Sequence, residues 1–280
     1  MKEKVTSVKT LIELIKKYKT TIDNNLKETY YRGQVADYGE IEPSIARDKY
    51  LESEDIMFKE FILRNPSDFN GLKTTFEKLA KMQHYSLPTR LLDISSNPLI
   101  SLFFAVEEKG NDDDDKDGVF IFYHIPKTHV KYYDSDTVSV VSNVSRRPHN
   151  SLDIKTLPND VPGFNDNKAI HYLLHEIKEE KPYFQDLIKK EHLQSIWCVK
   201  PLMDNRRIIK QDGAFLLFGI GDNKNKLAKY DTRNFEPLKH IIPKLSKQEI
   251  REELELLGIT RDKIYPELDT TAQFLKEKYK

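Results

Sequence analysis

The sequence feature that most restricts the fold is the polar stretch Gln83–Pro98, which lies between two apolar segments. Pro88 and Pro98 bracket Thr89–Asn97, and proline disfavours helical backbone at its own position and at the residue before it. The stretch is therefore predicted to contain a strand and a turn. Leu99–Val106 follows directly, is apolar apart from one serine, and is predicted to be a buried helix with proline at its start.

The same stretch carries amide, imidazole, phenol, hydroxyl, guanidinium and carboxylate groups. Burying such groups is costly unless they pair with each other or with a ligand, so the pattern predicts a polar network at the rim of the core. His84 ends a predicted helix, Leu72–His84. It could act as a base, donate to a substrate, or cap the helix, and the last is the commonest role of a lone histidine.

A second motif, Tyr31-Arg32-Gly33, lies at the end of a predicted strand, Glu28–Gly33. A guanidinium presents its donors in a rigid fork that fits phosphate or carboxylate, and glycine lets another backbone or an anion come close. The alternative is a buried structural arginine that pairs with Asp93 or Glu42. The motif alone leaves both interpretations open.

A third motif places Gln211 just before Gly213 and a predicted apolar strand, Ala214–Gly219. The amide of Gln211 could reach a ribose hydroxyl, or it could close a backbone turn. Turn closure is the default interpretation for such a residue at the start of a strand.

The chain as a whole predicts an α+β fold, in which helices flank a mixed, mainly antiparallel sheet. Further strands are predicted at Gly118–Ile125, Val138–Val144 and Gln194–Lys200, and further helices at Glu52–Leu63 and Ala169–Ile188. Residues 1–245 are predicted to form the main domain. Residues 246–280 are predicted to be a helical segment packed on it, with one helix closing near Gly258 and another after Pro266.

The composition weakens several classes of function. Lys+Arg and Asp+Glu both number 45, so the formal net charge is zero, which disfavours a dedicated nucleic-acid binder. A single cysteine, Cys198, rules out a disulfide within the chain and fits a reducing, cytoplasmic compartment. The sequence has neither a signal-peptide pattern nor an apolar run of about 20 residues, so no membrane role is expected.

His171 and His175 are four residues apart on a predicted helix, a spacing that can bind zinc. No glutamate of the hydrolytic zinc motif lies between them, and no third ligand is apparent. An exposed helix face is the better interpretation, and no metal site is predicted.

At the first two motifs the chain resembles the FRG-domain family, named for an aromatic-Arg-Gly motif after an N-terminal helix. Tyr31-Arg32-Gly33-Gln34 is similar to that motif, and Gln83–Asp93, Asn97-Pro98 and Phe103–Ala105 are similar to the longest family signature. Weaker similarities lie at Arg207–Phe215 and Gly258–Asp269. The chain departs from the family pattern at Ser86, Ile94, Glu267 and Thr270.

The resemblance implies an FRG domain over residues 1–245. Because such domains occur in bacteria and phages, often beside toxins or anti-phage defence proteins, it also implies a role of that kind. A protein partner, such as an antitoxin or another defence component, is a further expectation.

A second, looser similarity is to the ADP-ribosyltransferase layout, which implies a split form of the sheet and NAD as a substrate. In that layout Arg32 holds the diphosphate, Ser95 or Ser96 shapes the nicotinamide pocket, and Gln211 contacts the ribose. Tyr31 or Tyr85 would stack on the nicotinamide. His84 is a further catalytic candidate, and the remaining expected cofactor-binding residues are Gly33, Thr89 and Arg90.

Three functions follow as hypotheses. The first is an ADP-ribosyltransferase-like or NAD-hydrolysing effector; Gln211 cannot serve as a base, so it would only position ribose. The second is a non-catalytic sensor or protein-interaction domain, in which the polar residues fix the fold. The third is a ribonuclease that uses His84 with Arg32 and Arg90, which the neutral charge disfavours.

Overall fold

The strands of the computed structural model, which describes residues 3–23, 25–267 and 276, belong to a single sheet. They are β1 (Lys27–Gln34), β2 (Leu91–Ser95), β3 (Gly118–Pro126), β4 (Val130–Tyr132), β5 (Ile196–Lys200), β6 (Gly213–Phe218) and β7 (Leu238–Ile242). Their order is β4-β5-β6-β2-β1-β3-β7, and neighbouring strands are antiparallel except β4 and β5. The predicted α+β class with a mainly antiparallel sheet is confirmed.

Helices flank this sheet. They are α1 (Val8–Thr21), α2 (Glu54–Arg64), α3 (Pro66–Phe69), α4 (Thr75–His84), α5 (Pro98–Val106), α6 (Asp136–Asn143), α7 (Val161–Asn165), α8 (Lys168–Glu180), α9 (Lys190–Leu193), α10 (Arg206–Lys210), α11 (Lys247–Leu256) and α12 (Arg261–Ile264). Capping boxes at Ser7 and Thr74 explain where α1 and α4 begin, because each side chain satisfies a free backbone N–H of the first turn.

The core lies on both faces of the sheet. On one face, α1, α5 and α11 pack with Tyr31 of β1 and Phe122 of β3, while α2, α4 and α6 pack with Trp197 of β5 and Phe215 of β6. The opposite face is covered by loop residues such as Phe235. Helices therefore support one side of the sheet, and loops enclose the other.

The sheet separates between β1 and β2. β3 pairs with β1 along its whole length, from Lys27 opposite Pro126 to Gln34 opposite Val119. Among the described residues a single register pair, Tyr31 opposite Ser95, joins β1 to β2. The backbone groups beyond that pair are released from the ladder, and a cleft opens there.

Two predictions about strands were wrong or incomplete. Val138–Val144, predicted as a strand, lies mostly in α6, which begins at the cap residue Ser135. Its β-branched valines partly alternate with serines, which is a strand pattern, and every residue from Thr137 to Asn143 is buried, so no exposed polar face marks the helix. The short edge strands β4 and β7 were not predicted. The helix predicted after Pro266 falls on 268–280, which lies outside the described residues apart from 276.

Candidate functional site

A cavity of about 480 Å³ lies where β1 and β2 separate. Its walls come from the end of β1, from β2 and from α5, and the loops at Tyr38 and Asp113 border it. Arg207 and Gln211, at α10, complete the lining together with Tyr265. Distant parts of the chain thus meet around one polar cleft.

Gly33 brings α5 onto the strand beside this cleft. A Cβ atom on Gly33 would lie 1.8 Å from the carbonyl oxygen of Ser101 and 2.6 Å from the backbone nitrogen of Ala105. No side chain fits in that space, because both neighbours are backbone atoms of a helix. The glycine of the aromatic-Arg-Gly motif is therefore required for packing, next to the residue that faces the cleft.

Arg32 reaches into the cleft with most of its donors unused. Its Nη1 donates to the carbonyl oxygen of Asp93 at 2.6 Å, and its Nε is buried without a hydrogen-bond partner. Neither the Asp93 carboxylate nor the Glu42 carboxylate, the two partners considered from the sequence, forms an ion pair with it. The guanidinium is held by one backbone oxygen, and it keeps the capacity to grip an anion.

Further cations surround Arg32. Arg47 and Lys109 line the cleft with exposed side chains, and neither forms an ion pair within the described part of the chain. The Arg207 guanidinium lies 5.0 Å from the ring centre of Tyr265, and its Nη1 is 3.8 Å from Oε1 of Glu267. The cleft therefore has a basic rim, although the net charge of the whole chain is zero.

Three carboxylates share the cleft, and each has a hydrogen-bond donor. The Tyr38 hydroxyl donates to Asp113 Oδ2 at 2.7 Å, and the Tyr265 hydroxyl donates to Glu107 Oε2 at 3.0 Å. Burial, and then hydrogen bonding to Asp113, raises the pKa of Tyr38 to about 12. Both tyrosines are therefore neutral donors at physiological pH. Asp93, the third carboxylate, accepts from Gln83 Nε2 at 2.7 Å.

Ser95 and Gln211 line the cleft, but the Ser95 hydroxyl and the Gln211 amide nitrogen already form hydrogen bonds with backbone groups. Ser95 Oγ donates to the carbonyl oxygen of Gln211 at 2.6 Å and accepts from the backbone N–H of Asn97 at 3.0 Å. Gln211 Nε2 donates to the carbonyl oxygen of Ile264 at 3.3 Å. Ser95 therefore fastens β2 to the residue before β6, and the amide oxygen of Gln211 remains available.

The other predicted site residues lie elsewhere. Tyr31 borders the cleft, but its ring is buried among Phe120 and Phe122 and cannot stack on a ligand. Ser96 is exposed outside the cleft, where its Oγ lies 3.4 Å from the carbonyl oxygen of Asp212. Thr89 is buried and donates to Gln83 Oε1 at 2.7 Å.

His84 and Tyr85 line a second cavity, of about 230 Å³. Burial, and then the positive charge of Arg207, lowers the pKa of His84, whose Nε2 lies 3.9 Å from Glu267 Oε1. The Tyr85 ring packs edge-on against the imidazole, with ring centres 4.9 Å apart. His84 therefore lines a different cavity from Arg32, although the charges of Arg207 and Asp93, which line the first cavity, act on it.

Arg90 is sealed inside the protein. Its side chain is fully buried, its Nε donates to Glu54 Oε1 at 2.7 Å, and its Nη1 donates to the carbonyl oxygen of Phe218 at 3.0 Å. Its Nη2 donates to the second oxygen of Glu54, which also lies 3.3 Å from Nζ of Lys224. Burial alone would raise the pKa of Glu54, but Arg90 and then Lys224 outweigh it and lower that pKa. Arg90 has no surface that a cofactor could reach.

Several residues that line the cleft were not predicted as site residues. Lys109 and Asp113 belong to or adjoin the aspartate-rich loop, which looked like a solvated turn, and Tyr38 and Arg47 lie in loops without a motif. The sequence does mark Asp93, because it is the one charged residue of β2. In the structure it is also the one exposed residue of that strand. A charged residue in an otherwise apolar strand is costly unless it faces solvent or a partner.

The fold and the cleft define an α+β protein with an open arginine at the junction of a divided sheet. The model of the FRG domain matches residues 27–114, and the predicted resemblance to that family is confirmed over this segment. The matched segment holds Arg32, Gly33 and Asp93, whereas the similarities predicted around Arg207 and Tyr265 lie beyond it.

The wider comparisons add no relative. No curated protein and no solved structure matches the chain. Within the described residues, no helix has the length and apolar character needed to cross a membrane, and no cluster of three or more His, Cys, Asp or Glu could hold a metal ion.

Proposed function

We propose that this protein is an ADP-ribosyltransferase-like or NAD-hydrolysing enzyme whose cleft binds the diphosphate of NAD through Arg32. The observation that carries the proposal is the guanidinium itself: within the described residues one backbone oxygen holds it, and the side chain lines an open cavity. The cavity of about 480 Å³ falls in the range of roughly 300–1,000 Å³ typical of small-molecule sites.

The order of the strands supports this choice of ligand. Arg32 on β1, Ser95 on β2 and Gln211 just before β6 come from neighbouring strands and line the same cleft. These are the three residues to which the transferase layout assigns the diphosphate, the nicotinamide pocket and the ribose. Their convergence does not follow from sequence proximity, because more than 60 residues separate Arg32 from Ser95 and more than 110 separate Ser95 from Gln211.

Unsatisfied polar atoms support a polar ligand. Arg32 Nε and Ser101 Oγ are buried, border the cleft and have no hydrogen-bond partner. Buried polar atoms are almost always bonded, so these two atoms call for an oxygen-rich ligand or for water. Both atoms are closed to solvent, so a diphosphate oxygen reaches them only if the neighbouring side chains move on binding.

The chemistry assigned to these residues is binding and orientation. Loss of nicotinamide breaks the bond from the ribose C1′ to the ring nitrogen, and the oxygen of water or of an acceptor forms the new bond to C1′ while its proton leaves. A rigidly held diphosphate favours that step, because the developing cation at C1′ is then kept close to fixed groups. Gln211 Oε1 is placed to accept from a ribose hydroxyl. Ser95 supports the turn and is not a nucleophile, since its hydroxyl is already bonded.

The aromatic contacts differ from those expected. Tyr31 and Tyr85 were expected to stack on the nicotinamide, but one ring is in the core and the other borders a separate cavity. Tyr38 and Tyr265 are the tyrosines whose side chains border this cleft with polar contacts. We assign ring contacts with the ligand to Tyr38, which is 46% exposed.

The test is incubation of the purified protein with NAD, followed by chromatographic measurement of free nicotinamide and by a search for ADP-ribosylated protein. Arg32→Ala and Gln211→Ala are expected to lower nicotinamide release, the first by about a hundredfold or more, because a charge-assisted contact to the diphosphate is lost. Arg64→Ala is the matched control, since Arg64 is exposed and pairs with Glu60 of its own helix. Equal rates for Arg32→Ala and Arg64→Ala would refute the proposal.

A non-catalytic ligand sensor or interaction domain is the second candidate. The observation that favours it is the lack of a histidine or cysteine among the described residues of the cleft, together with the occupied hydroxyl of Ser95. Such a domain would bind ADP-ribose or NAD, measured by calorimetry, without releasing nicotinamide. A ribonuclease receives no support from the geometry, because His84 borders the other cavity.

A further inference from the structure

We infer that Asp93 is the group that recognises a ribose hydroxyl pair in this cleft, and that Gln83 and Thr89 hold it in position. The inference rests on the proposed function, because it takes the ligand to be a ribose-bearing diphosphate. It adds an acceptor to which the family resemblances gave no contact with the ligand, since Gln211 offers a single amide oxygen for the sugar.

The first step is the position of Asp93. It lies in β2 between Leu92 and Ile94, both buried in the core, while its own side chain is exposed and borders the cleft. A charged residue there contributes nothing to strand packing. Its carboxylate is free of ion pairs within the described part of the chain, and its charge acts both on the cleft and on His84.

The second step is the way the carboxylate is held. The buried Thr89 hydroxyl donates to Gln83 Oε1 at 2.7 Å, and Gln83 Nε2 donates to Asp93 Oδ2 at 2.7 Å. The chain of bonds connects α4 to β2, and it fixes one carboxylate oxygen. The other oxygen, Oδ1, has no hydrogen bond to any residue that the structure describes, so one held carboxylate keeps an open acceptor. Preorganised acceptors of this kind lose little entropy when they bind.

The third step is the relation to Arg32. The guanidinium donates to the carbonyl oxygen of Asp93, so both charged groups are tied to the same residue. Gln83 holds the carboxylate, and no ion pair joins it to Arg32. Arg32 is paired with Ile121 and Asp93 with Phe215, so the two side chains leave the sheet on opposite faces. A ligand seated in the gap between β1 and β2 would meet the cation on one side and the anion on the other, which suits a diphosphate joined to a sugar. Carboxylates at nucleotide sites commonly accept from ribose hydroxyls in this way.

The test compares ADP-ribose, ADP and inorganic pyrophosphate as ligands, with calorimetric dissociation constants for each. The wild type is expected to bind ADP-ribose more tightly than pyrophosphate. Asp93→Asn is expected to weaken ADP-ribose binding by about tenfold to a hundredfold, because hydrogen bonds to a charged acceptor are lost. Its affinity for pyrophosphate should stay the same or rise, since a negative charge has left the cleft. ADP carries only the adenosine ribose, so its affinity, compared with that of ADP-ribose, shows which of the two riboses is recognised.

Gln83→Met and Thr89→Val test the positioning role. Each removes one bond of the chain at similar side-chain size, and each should lower the ADP-ribose to pyrophosphate preference by about threefold to tenfold. A merely structural role would shift the melting temperature and leave that preference unchanged. Asp166→Asn is the control, because Asp166 is exposed and outside the cleft.

The outcomes separate the two proposals. If the wild type binds none of the three ligands, the proposed function fails, and this inference fails with it. If the wild type binds them and Arg32→Ala abolishes binding, while Asp93→Asn keeps the full preference for ADP-ribose, the NAD-site proposal stands and the role of Asp93 is refuted. An equal loss for pyrophosphate and ADP-ribose in Asp93→Asn also refutes it.

Discussion

Arg32 lies in β1 and Arg90 directly precedes the neighbouring strand β2, yet the two side chains differ in burial and in hydrogen bonding. Arg90 directs every nitrogen of its guanidinium to Glu54 or to the carbonyl oxygen of Phe218, and it is fully buried. Among the residues that the structure describes, Arg32 has one hydrogen bond, to a backbone oxygen, and it borders an open cavity. The residue type is the same, and the difference lies in the partners that the fold supplies.

The comparison assigns the two arginines to different roles. A buried guanidinium without its carboxylate would be an uncompensated charge, so Arg90 and Glu54 stabilise the position of α2 on the sheet. A half-buried guanidinium with unused donors has no such role. Its unused donors lower the stability of the fold, and unsatisfied groups of this kind are expected at ligand sites.

The largest effect is expected from Arg90→Ala. This change leaves Glu54 buried beside Lys224 alone, and we expect a loss of about 3–5 kcal/mol in the free energy of unfolding, measured by urea denaturation. Arg32→Ala should lose less than about 1 kcal/mol in the same measurement, because it gives up one exposed hydrogen bond. Similar losses for the two variants would break the comparison and make Arg32 a structural residue.

A smaller effect is expected in the dependence of stability on pH. Because Arg90 and Lys224 hold the pKa of Glu54 below its unfolded value, their contribution is complete above that value and is lost as the pH falls through the lowered pKa. Glu54→Gln should therefore be less stable at pH 7 and should show a flatter stability curve on acidification.

The control for that measurement is Glu60→Gln. Glu60 lies on the same helix and pairs with Arg64 at the surface, where ion pairs contribute little. Its stability curve should follow that of the wild type. If the stability of Glu54→Gln falls with pH as steeply as that of the wild type and of Glu60→Gln, the buried cluster does not titrate as described.

The smallest effect is expected from Arg47→Ala. Arg47 borders the same cleft as Arg32 but is exposed, so solvent and salt screen its charge. We expect ADP-ribose binding to weaken by about twofold to fivefold at low salt, and by less at high salt, in calorimetric titrations. A loss as large as that of Arg32→Ala would move the centre of the anion site toward Arg47.

Local signals in the sequence were enough for part of this picture. The strand and turn between Pro88 and Pro98, the helix after Pro98, and the strand that ends with Gly33 were all predicted from short-range patterns. The prediction of a strand at Val138–Val144 was wrong, because a helix that is buried on all sides can have the sequence pattern of a strand. Short-range patterns identify elements well where proline, glycine or a clear polar face marks them.

The sequence by itself determined the α+β class, the resemblance of residues 27–114 to the FRG domain and the presence of two polar arginine motifs. Only the tertiary structure decided which arginine is open. The partners of Arg90 are Glu54 and Phe218, 36 and 128 residues away. The release of Arg32 depends on where the ladder between β1 and β2 stops. Burial and pairing are properties of residues brought together from distant parts of the chain, and no local pattern records them.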